Sequence, residues 1–360
     1  MTTLGDVLAL VSVDSVSGNE RALASLVYER LRAVDSLDVE RVGDNVVART
    51  TGHHATRVLV AGHLDTVPGD AGAATIVGDV LHGLGACDMK GSLAGMLDLA
   101  TSTESRGVEV TWVFYAREEI SRSQSGLLEV AELRPDLLVA DVAILGEPTH
   151  GHVEAGCQGT LRVRVALAGV RAHTARPHTG RNAIHRLGDL LSFVATYEPR
   201  EVTIDGVVYV EQLQAVSIEG GVAPNVVPDA ASCVLNHRVA PDRSCDEAMS
   251  WLRHYLGELL GADDVLEVLD WAPPAPPELG NPLVAKLVAL TGRAPEGKVG
   301  WTDVATFHEM GIAATNFGAG DPMLAHRSDE RLTRDELENF VTVLGEWLRS
   351  AARPHASERQ

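Results

Sequence analysis

Residues 57–65 read Arg57-Val58-Leu59-Val60-Ala61-Gly62-His63-Leu64-Asp65. This short apolar run has the length of a strand, and it changes to histidine and aspartate at its end. Such a run is typical of a strand that is buried on both faces of a sheet. The two polar residues are therefore expected at the point where the strand leaves the sheet.

The residues around this run alternate between helix and strand patterns. Apolar residues at helical spacing predict helices over 19–31, 92–104 and 125–133. Apolar runs predict further strands over 108–115 and 142–145. Because strand and helix alternate, we expect an α/β fold with a mixed, largely parallel sheet and helices on both faces.

The pattern changes near Thr160, where period-two alternation over 161–167 predicts a strand with one covered face. A helix from Ala183 to Val194, strands at about 207–218 and 230–239 and a helix at 243–260 follow. Four prolines in the five positions 273–277 predict a linker that ends this α+β segment.

Beyond the linker, helices at 282–290 and 334–349 flank a strand at 313–317. A chain of 360 residues exceeds one ordinary hydrophobic core, so two domains are expected. The elements beyond the linker fit better as a return to the first domain than as a third domain. We therefore predict a catalytic domain of residues 1–159 and 272–360, and an inserted domain of residues 160–271.

Composition excludes some classes of function. The formal net charge of −20 repels phosphate backbones and anionic lipid surfaces, so we expect no nucleic-acid and no membrane partner. No apolar run approaches the roughly 18 residues of a membrane span. The N-terminus lacks the basic start of a secretory signal, so a cytoplasmic location is expected. The cysteines are scattered and are predicted to be small core residues.

Acidic and histidine side chains recur near predicted strand ends and in one glycine-rich loop. Five segments carry them: His63 with Asp65, Asp88 in the loop Gly83–Gly91, Glu118 with Glu119, Glu147, and His326. In an open α/β sheet, ligands bind outside the carboxyl ends of the strands. We therefore expect these side chains to meet at one edge of the sheet.

Clustered carboxylates repel one another unless cations hold them together. Imidazole with carboxylate suits zinc, cobalt or manganese. Two histidines with several carboxylates exceed the three protein ligands of a usual catalytic zinc site and match two ions roughly 3.5–4 Å apart. Any single acid here could instead be a helix cap or a solvated loop residue, and His63 alone could be a core histidine. The joint pattern predicts two divalent ions, zinc first, with one bridging aspartate.

The chain resembles the co-catalytic zinc aminoacylase and carboxypeptidase family. The resemblance rests on four segments in order along the chain: 62–68, 85–91, 117–119 and 146–149. It implies a zinc-exopeptidase-like catalytic domain. It also implies that the inserted domain is a lid and dimerisation domain, and hence that the protein is a homodimer.

The resemblance also implies a role for each matching residue. His63 and Glu147 would bind one ion, Glu119 and His326 the other, and Asp88 both. Glu118 would be the general base, and Asp65 would orient the ring of His63. His173 would donate a hydrogen bond to the developing oxyanion, often in the neighbouring subunit. Substrate would contact Asn225, Arg238, Thr302 and Gly318, although Asn225 could equally shape a turn and Arg238 could be a surface strand residue.

The implied activity is metal-assisted hydrolysis of a linear amide in a small N-acyl amino acid, with Glu118 moving the proton. The favoured substrate is N-succinyl-L,L-2,6-diaminopimelate, a lysine and cell-wall precursor. N-acetylornithine, another N-acyl amino acid or a dipeptide is the alternative. One departure concerns residues 156–159, Gly-Cys-Gln-Gly, where some succinyl-specific members have an arginine pair. Arg162, Arg171 or Arg176 could compensate for that pair.

Two other classes of protein fit the sequence less well. A non-catalytic binding protein on this fold would have lost a ligand or the base, and here every such position is filled. A dinucleotide-binding oxidoreductase is suggested by Gly83-Leu84-Gly85, but Asp88 stands where the third glycine belongs and would repel a pyrophosphate.

Overall fold

The computed structural model of the chain describes residues 2–69, 74–102, 104 and 106–351. The chain divides into two units. The first comprises residues 1–156, 277–296 and 302–360, and the second comprises residues 157–276 and 297–301. The second unit therefore extends a few residues beyond the predicted range 160–271 on each side. Residue 103 of the predicted helix and residues 352–360 of the predicted catalytic domain lie outside the described residues.

The N-terminal part of the first unit contains helices α1–α4 and strands β1–β8. The helices are α1 Leu4–Val11, α2 Arg21–Arg32, α3 Gly91–Thr101 and α4 Gly126–Leu133. The strands are β1 Leu37–Val42, β2 Asn45–Thr50, β3 Arg57–His63, β4 Thr75–Val77, β5 Val80–His82, β6 Glu109–Tyr115, β7 Val142–Leu145 and β8 Glu154–Ala155.

The second unit contains two helices and eight strands. The helices are α5 Ala183–Val194 and α6 Cys245–Leu256. The strands are β9 Gly159–Ala168, β10 Ala172–His173, β11 Glu201–Ile204, β12 Val207–Val210, β13 Gln212–Gly220, β14 Val226–Val227, β15 Ala230–Val239 and β16 Val265–Ala272.

The described residues after the second unit's sheet, 277–351, contain three further helices and three further strands. These are α7 Pro282–Thr291, β17 Glu296–Gly297, α8 Val304–Glu309, β18 Ala314–Asn316, β19 Arg331–Thr333 and α9 Arg334–Ser350. Strand β18 pairs with β7, so the chain after the linker returns to the sheet of the first unit.

The main sheet has the strand order β1-β2-β6-β3-β7-β18-β8-β17. Its four central strands β6, β3, β7 and β18 are parallel neighbours, whereas β1, β2 and β8 pair antiparallel. The predicted mixed α/β sheet is thus confirmed. The antiparallel strands β1 and β2, which the sequence analysis did not predict, lie at one edge.

Strand β3 lies in the middle of the main sheet, between β6 and β7. Val58 and Val60 are fully buried in one hydrophobic cluster together with Leu93 of α3. Leu59 and Ala61 point to the opposite face, because side chains alternate along a strand, and they are fully buried as well. Both faces of the sheet are therefore covered, as the unbroken apolar run predicts.

The second unit is built on a four-stranded antiparallel sheet of order β13-β15-β9-β16. Alternate residues of β9 are buried, and Val163 and Val165 pack with Leu190 of α5 and Leu252 of α6. One difference from the expectation lies at 207–218, which forms two strands rather than one. Strand β12 turns back to form a hairpin with β11, and β13 belongs to the four-stranded sheet.

All four cysteines are free, and Cys87, Cys157 and Cys233 are buried. Burial of these three agrees with the prediction of small core residues, whereas Cys245 is only partly buried. Within the described part of the chain, no helix is both long enough and apolar enough to cross a bilayer.

One buried ion pair stabilises the second unit and gives a testable prediction. Arg186 of α5 donates to both carboxylate oxygens of Asp264, at 2.8 and 2.6 Å, and the side chain of Asp264 is 1% exposed. Hydrogen bonds from Arg186 lower the pKa of Asp264 to about 2 from its ordinary 3.8, although burial opposes the shift. Because the folded pKa is depressed, the stabilisation is present above about pH 4 and disappears as the pH falls toward 2.

We expect Asp264→Asn to lower the free energy of unfolding by about 2 kcal/mol at pH 7. The difference from the wild type should shrink as the pH falls below 4. Urea unfolding followed at several pH values checks this, with Asp263→Asn at the exposed neighbouring position as the control. An equal loss for both variants, or a pH-independent loss, would contradict it.

Candidate metal centre

The candidate site lies at the carboxyl ends of three neighbouring parallel strands in the first unit. His63 is the last residue of β3, Glu118 and Glu119 follow β6, and Glu147 follows β7. Because β6, β3 and β7 are adjacent and parallel, these ends lie side by side. Arg117 has a left-handed backbone, with φ of 62°, which turns the chain immediately before the two glutamates.

Asp88 reaches the same edge from a single wide turn, 86–90, that leads into α3. Gly85 precedes this turn with a φ of 79°, and a Cβ there would lie 2.7 Å from the side chain of Thr66. A residue other than glycine would therefore push the turn away from β3. His326 lies between β18 and β19 and also has a left-handed backbone, with φ of 63°.

The donor atoms form two groups joined by one carboxylate. Asp88 Oδ1 is 3.1 Å from His63 Nε2, and Asp88 Oδ2 is 3.4 Å from His326 Nε2. His63 Nε2 is also 3.9 Å from Glu147 Oε1, and His326 Nε2 is 2.8 Å from Glu119 Oε1. The structure thus brings together all five residues that the sequence predicts as metal ligands.

The donor set suits divalent cations. Donor atoms of His63, Asp88 and Glu119 all lie within 4.8 Å of one another, and the three residues could hold one ion. Hydrogen bonds to Asp88 and Glu119 raise the pKa of His326 to about 10. The carboxylates that cause this shift would equally favour a divalent cation in place of a proton. Imidazole and carboxylate donors are typical of zinc, cobalt and manganese.

Glu118 lies beside this group of donors and is not part of either pair. Burial raises the pKa of its carboxyl group well above the ordinary 4.5, and the carboxylates of Glu147, Glu119 and Asp303 add to the shift, against the opposing effect of His63. A carboxyl group with a raised pKa can accept a proton and give it back, as a general base requires.

Asp65 contacts the ring of His63 and also makes contacts that the sequence did not predict. The ring of His63 is held mainly by the backbone carbonyl of Asp65, with Nδ1 at 3.0 Å, whereas the nearer carboxylate oxygen is at 3.6 Å. The carboxylate accepts the backbone N–H groups of Glu118 and Glu119 at 3.0 Å each, and the hydroxyl of Ser17 at 2.7 Å. Asp65 therefore connects the end of β3 to the segment that carries both glutamates.

Glu330 is a supporting residue that the sequence analysis missed. Its Oε1 accepts the backbone N–H groups of Cys87 and Asp88 at 3.0 and 3.1 Å, and its side chain is buried. It thereby fixes the turn that carries Asp88. Its position four residues after His326 is the one signal in the sequence that could have indicated it.

Thr302 and Gly318 contact the segments that carry the candidate ligands. Thr302 is 2% exposed, and its hydroxyl donates to Asn316 of β18 at 2.9 Å. A Cβ on Gly318 would lie 2.1 Å from the carbonyl oxygen of Gly146, so glycine allows close approach to the segment that carries Glu147. These contacts position the strand ends, and contact of either residue with substrate stays a prediction.

His173 and Asn225 are neighbours on the surface of the second unit. His173 of β10 pairs with Val226 of β14, and the backbone N–H of Thr174 donates to the carbonyl of Asn225 at 3.1 Å. The N–H of Ala175 donates to His173 Nδ1 at 3.0 Å, so a neutral ring carries its proton on Nε2. His173 is thus an exposed hydrogen-bond donor, as an oxyanion-stabilising role needs.

Arg238 lies on β15 and is partly buried. Its Nη1 donates to the hydroxyl of Thr160 at 2.5 Å, and among the described residues no carboxylate lies within 4.0 Å of it. Burial, together with the charge of Arg162, lowers the pKa of its guanidinium. A partly buried cation of this kind favours an anionic ligand.

The fold and the site together define a class of protein. Carboxylates and imidazoles meet at the carboxyl edge of an α/β sheet, and a glutamate with a raised pKa lies beside them. This combination is typical of a metal-dependent hydrolase. A sequence model of Peptidase family M20/M25/M40 matches residues 59–350, and the chain belongs to that family. It is accordingly a hydrolase of amide bonds.

Two of the relatives that match nearly the full chain have names that indicate the same activity. One is "Putative succinyl-diaminopimelate desuccinylase DapE" of Mycobacterium tuberculosis, 46% identical over 94% of this chain and 96% of its own. The other is succinyl-diaminopimelate desuccinylase of Corynebacterium glutamicum, 42% identical over 96% of both chains. A tripeptidase from Staphylococcus aureus has a similar fold, with a TM-score of 0.79, 20% identity and 98% of each chain covered.

Proposed function

We propose that this protein is a dimetal amidohydrolase that removes the succinyl group from N-succinyl-L,L-2,6-diaminopimelate. In this proposal His63 and Glu147 hold one divalent ion, Glu119 and His326 hold the other, and Asp88 binds both. The observation that carries it is that the two oxygens of Asp88 face different histidines, at 3.1 and 3.4 Å. Zinc is the favoured metal, with cobalt or manganese as alternatives.

The ions would polarise the amide carbonyl and lower the pKa of the attacking water. The protein's own side chains supply the remaining steps. Glu118 takes the proton of the water and gives it to the leaving nitrogen. Asp65 holds Glu118 in place through its backbone N–H, at 3.0 Å. His173 donates from Nε2 to the oxygen that gains negative charge.

The substrate proposal draws on the relatives at 42% and 46% identity, both named for this activity. Arg238 supports it from the structure, because a partly buried guanidinium suits the carboxylate of an amino acid. Four free cysteines are in keeping with a reducing compartment, and we propose a cytoplasmic location.

Turnover of N-succinyl-L,L-2,6-diaminopimelate and N-acetylornithine, measured side by side with zinc-loaded enzyme, tests the substrate. We expect kcat/KM to be at least about 100-fold higher for the succinyl compound, because a site that binds the terminal carboxylate of the succinyl group gains nothing from an acetyl group. A preference for N-acetylornithine would instead support the alternative, an acetylornithine deacetylase of the same family.

We also propose that the protein is a homodimer joined through the second unit. Strand β13 is an unpaired edge that exposes Val216 by 56% and Ile218 by 63%, and Ile184 of the neighbouring helix α5 is 40% exposed. A long, apolar, unpaired edge of this kind is a template for a second strand. A second copy of the chain would cover it symmetrically.

If His173 serves the partner's site, two inactive variants should complement each other. Glu118→Gln and His173→Ala, co-expressed with different tags and purified as a mixed dimer, are expected to show about half of the wild-type activity, since one of the two sites is then complete. Each variant alone should be nearly inactive. An inactive mixed dimer would mean that His173 acts within its own chain, and failure to isolate a mixed dimer would contradict the dimer itself.

A further inference from the structure

The proposed substrate requires a positively charged side chain near its acyl group, and the sequence alone does not identify that side chain. A succinyl group ends in a carboxylate, whereas an acetyl group does not, so an enzyme that prefers the former needs a positive charge near the acyl end. Residues 156–159 carry no arginine. Gln158 of this segment is buried, and its amide donates to the carbonyl of Val210 at 3.1 Å, so its polar group is already engaged.

Three arginines of the second unit could supply the charge. They differ in whether a carboxylate already pairs with the guanidinium. Arg162 lies 2.7 Å from a carboxylate oxygen of Asp270, and Arg171 lies 2.9 Å from one of Asp229. Both charges are already compensated. Arg176 is exposed, and no carboxylate of the described residues lies within 4.0 Å of its guanidinium.

Arg176 also shares a tight turn with His173. The N–H of Arg176 donates to the carbonyl of His173 at 2.8 Å, and the N–H and hydroxyl of Thr179 both donate to the carbonyl of Arg176, at 3.1 and 2.9 Å. The following residue, Pro177, restricts the backbone further. This turn is therefore held at both ends, and it presents the two side chains from fixed backbone positions.

His173 and Arg176 are close enough on this turn for their side chains to contact the two ends of one succinyl group. Residues three apart in a hydrogen-bonded turn have Cα atoms less than about 7 Å apart. The amide carbon and the terminal carboxylate carbon of a succinyl group are separated by three single bonds, about 4 Å when extended. One side chain of the turn can thus reach the amide oxygen while the other reaches the carboxylate.

We propose that Arg176 determines acyl specificity by binding the terminal carboxylate of the succinyl group, while His173 on the same turn faces the amide oxygen. The inference rests on the proposed desuccinylase function and extends it. A guanidinium without a carboxylate partner can form a bidentate, charge-assisted pair with that group. No such contact is available to an acetyl, butyryl or peptidyl substrate at the same place.

The test compares Arg176→Gln with the wild type on two substrates, N-succinyl- and N-butyryl-diaminopimelate, which have the same chain length and differ in the terminal carboxylate. We expect kcat/KM for the succinyl substrate to fall about 10- to 100-fold, mainly through KM, and that for the butyryl substrate to change by less than about threefold. Arg171→Gln and Arg181→Gln are matched controls on either side of the turn, and neither should lower the succinyl preference. Arg176 is exposed, so the thermal midpoint of unfolding should not move.

Inhibition by succinate and by butyrate gives the same comparison without turnover, and only the inhibition constant of succinate should rise in Arg176→Gln. An equal loss on both substrates, or no loss on either, would overturn the role of Arg176 and leave the proposed function standing. A wild-type enzyme that prefers the butyryl substrate would instead overturn the desuccinylase function itself.

Discussion

Asp88→Ala is expected to remove both bound ions and to lower kcat by at least about 1,000-fold, because metal-ion polarisation is worth several kcal/mol in such reactions. The effect should be large because the two oxygens of this carboxylate face His63 and His326 separately. Loss of any other predicted ligand would leave one of the two groups of donors intact. In the proposed assignment, Asp88 is therefore the one predicted ligand on which both ions depend.

Metal content after dialysis and turnover of the same sample check this prediction. Asp35→Ala, at an exposed position before β1, is the control and should retain two ions per chain. Retention of both ions by Asp88→Ala would show that this residue does not join the two sites.

Glu118→Gln is expected to have the second largest effect, with kcat lowered by about 100- to 10,000-fold while the metal content stays at the wild-type level. The amide is nearly the same size as the carboxyl group, but it cannot accept the proton of the attacking water. KM should change little, because Glu118 is not assigned to substrate binding.

Steady-state kinetics and metal content, measured on the same sample, distinguish a role of Glu118 as general base from a role as metal ligand. Glu132→Gln replaces an exposed glutamate of α4 and is the matched control. Normal turnover of Glu118→Gln with metal bound would refute its role as the base, and loss of metal would place Glu118 among the ligands.

The sequence could predict that the five proposed ligands lie together, because their positions depend on one strong pattern. Apolar runs that are buried on both faces mark parallel strands, and the carboxyl ends of such strands meet at one edge. His63, Glu119 and Glu147 follow directly from that rule. Asp88 and His326 lie in loops, and the chemistry of the set, rather than their spacing, associates them with the other three.

The supporting contacts could not be predicted in the same way. The sequence associates Asp65 with His63 because the two residues are close along the chain. The carboxylate of Asp65 nevertheless accepts hydrogen bonds from the backbone of residues 118–119, more than fifty positions away. Glu330 contacts the turn of Asp88 from the other end of the chain. Hydrogen bonds of this kind arise from tertiary packing, and no local periodicity encodes them.

The ion pairs of the arginines could not be predicted either, because they depend on the register of paired strands. A bulge in β16 between Val268 and Asp270 places Asp270 opposite Arg162 on β9. Without that extra residue, a different side chain would face Arg162, because a one-residue shift in register changes the face of the sheet. The sequence could therefore name three candidate cations but could not tell which of them lacks a partner.

The most direct test of the central claim is anomalous diffraction at the zinc edge from crystals of the zinc-loaded protein. Two peaks are predicted, one beside His63 and Glu147 and the other beside Glu119 and His326, with one oxygen of Asp88 next to each. A single peak, or two peaks of which only one contacts Asp88, would contradict the account.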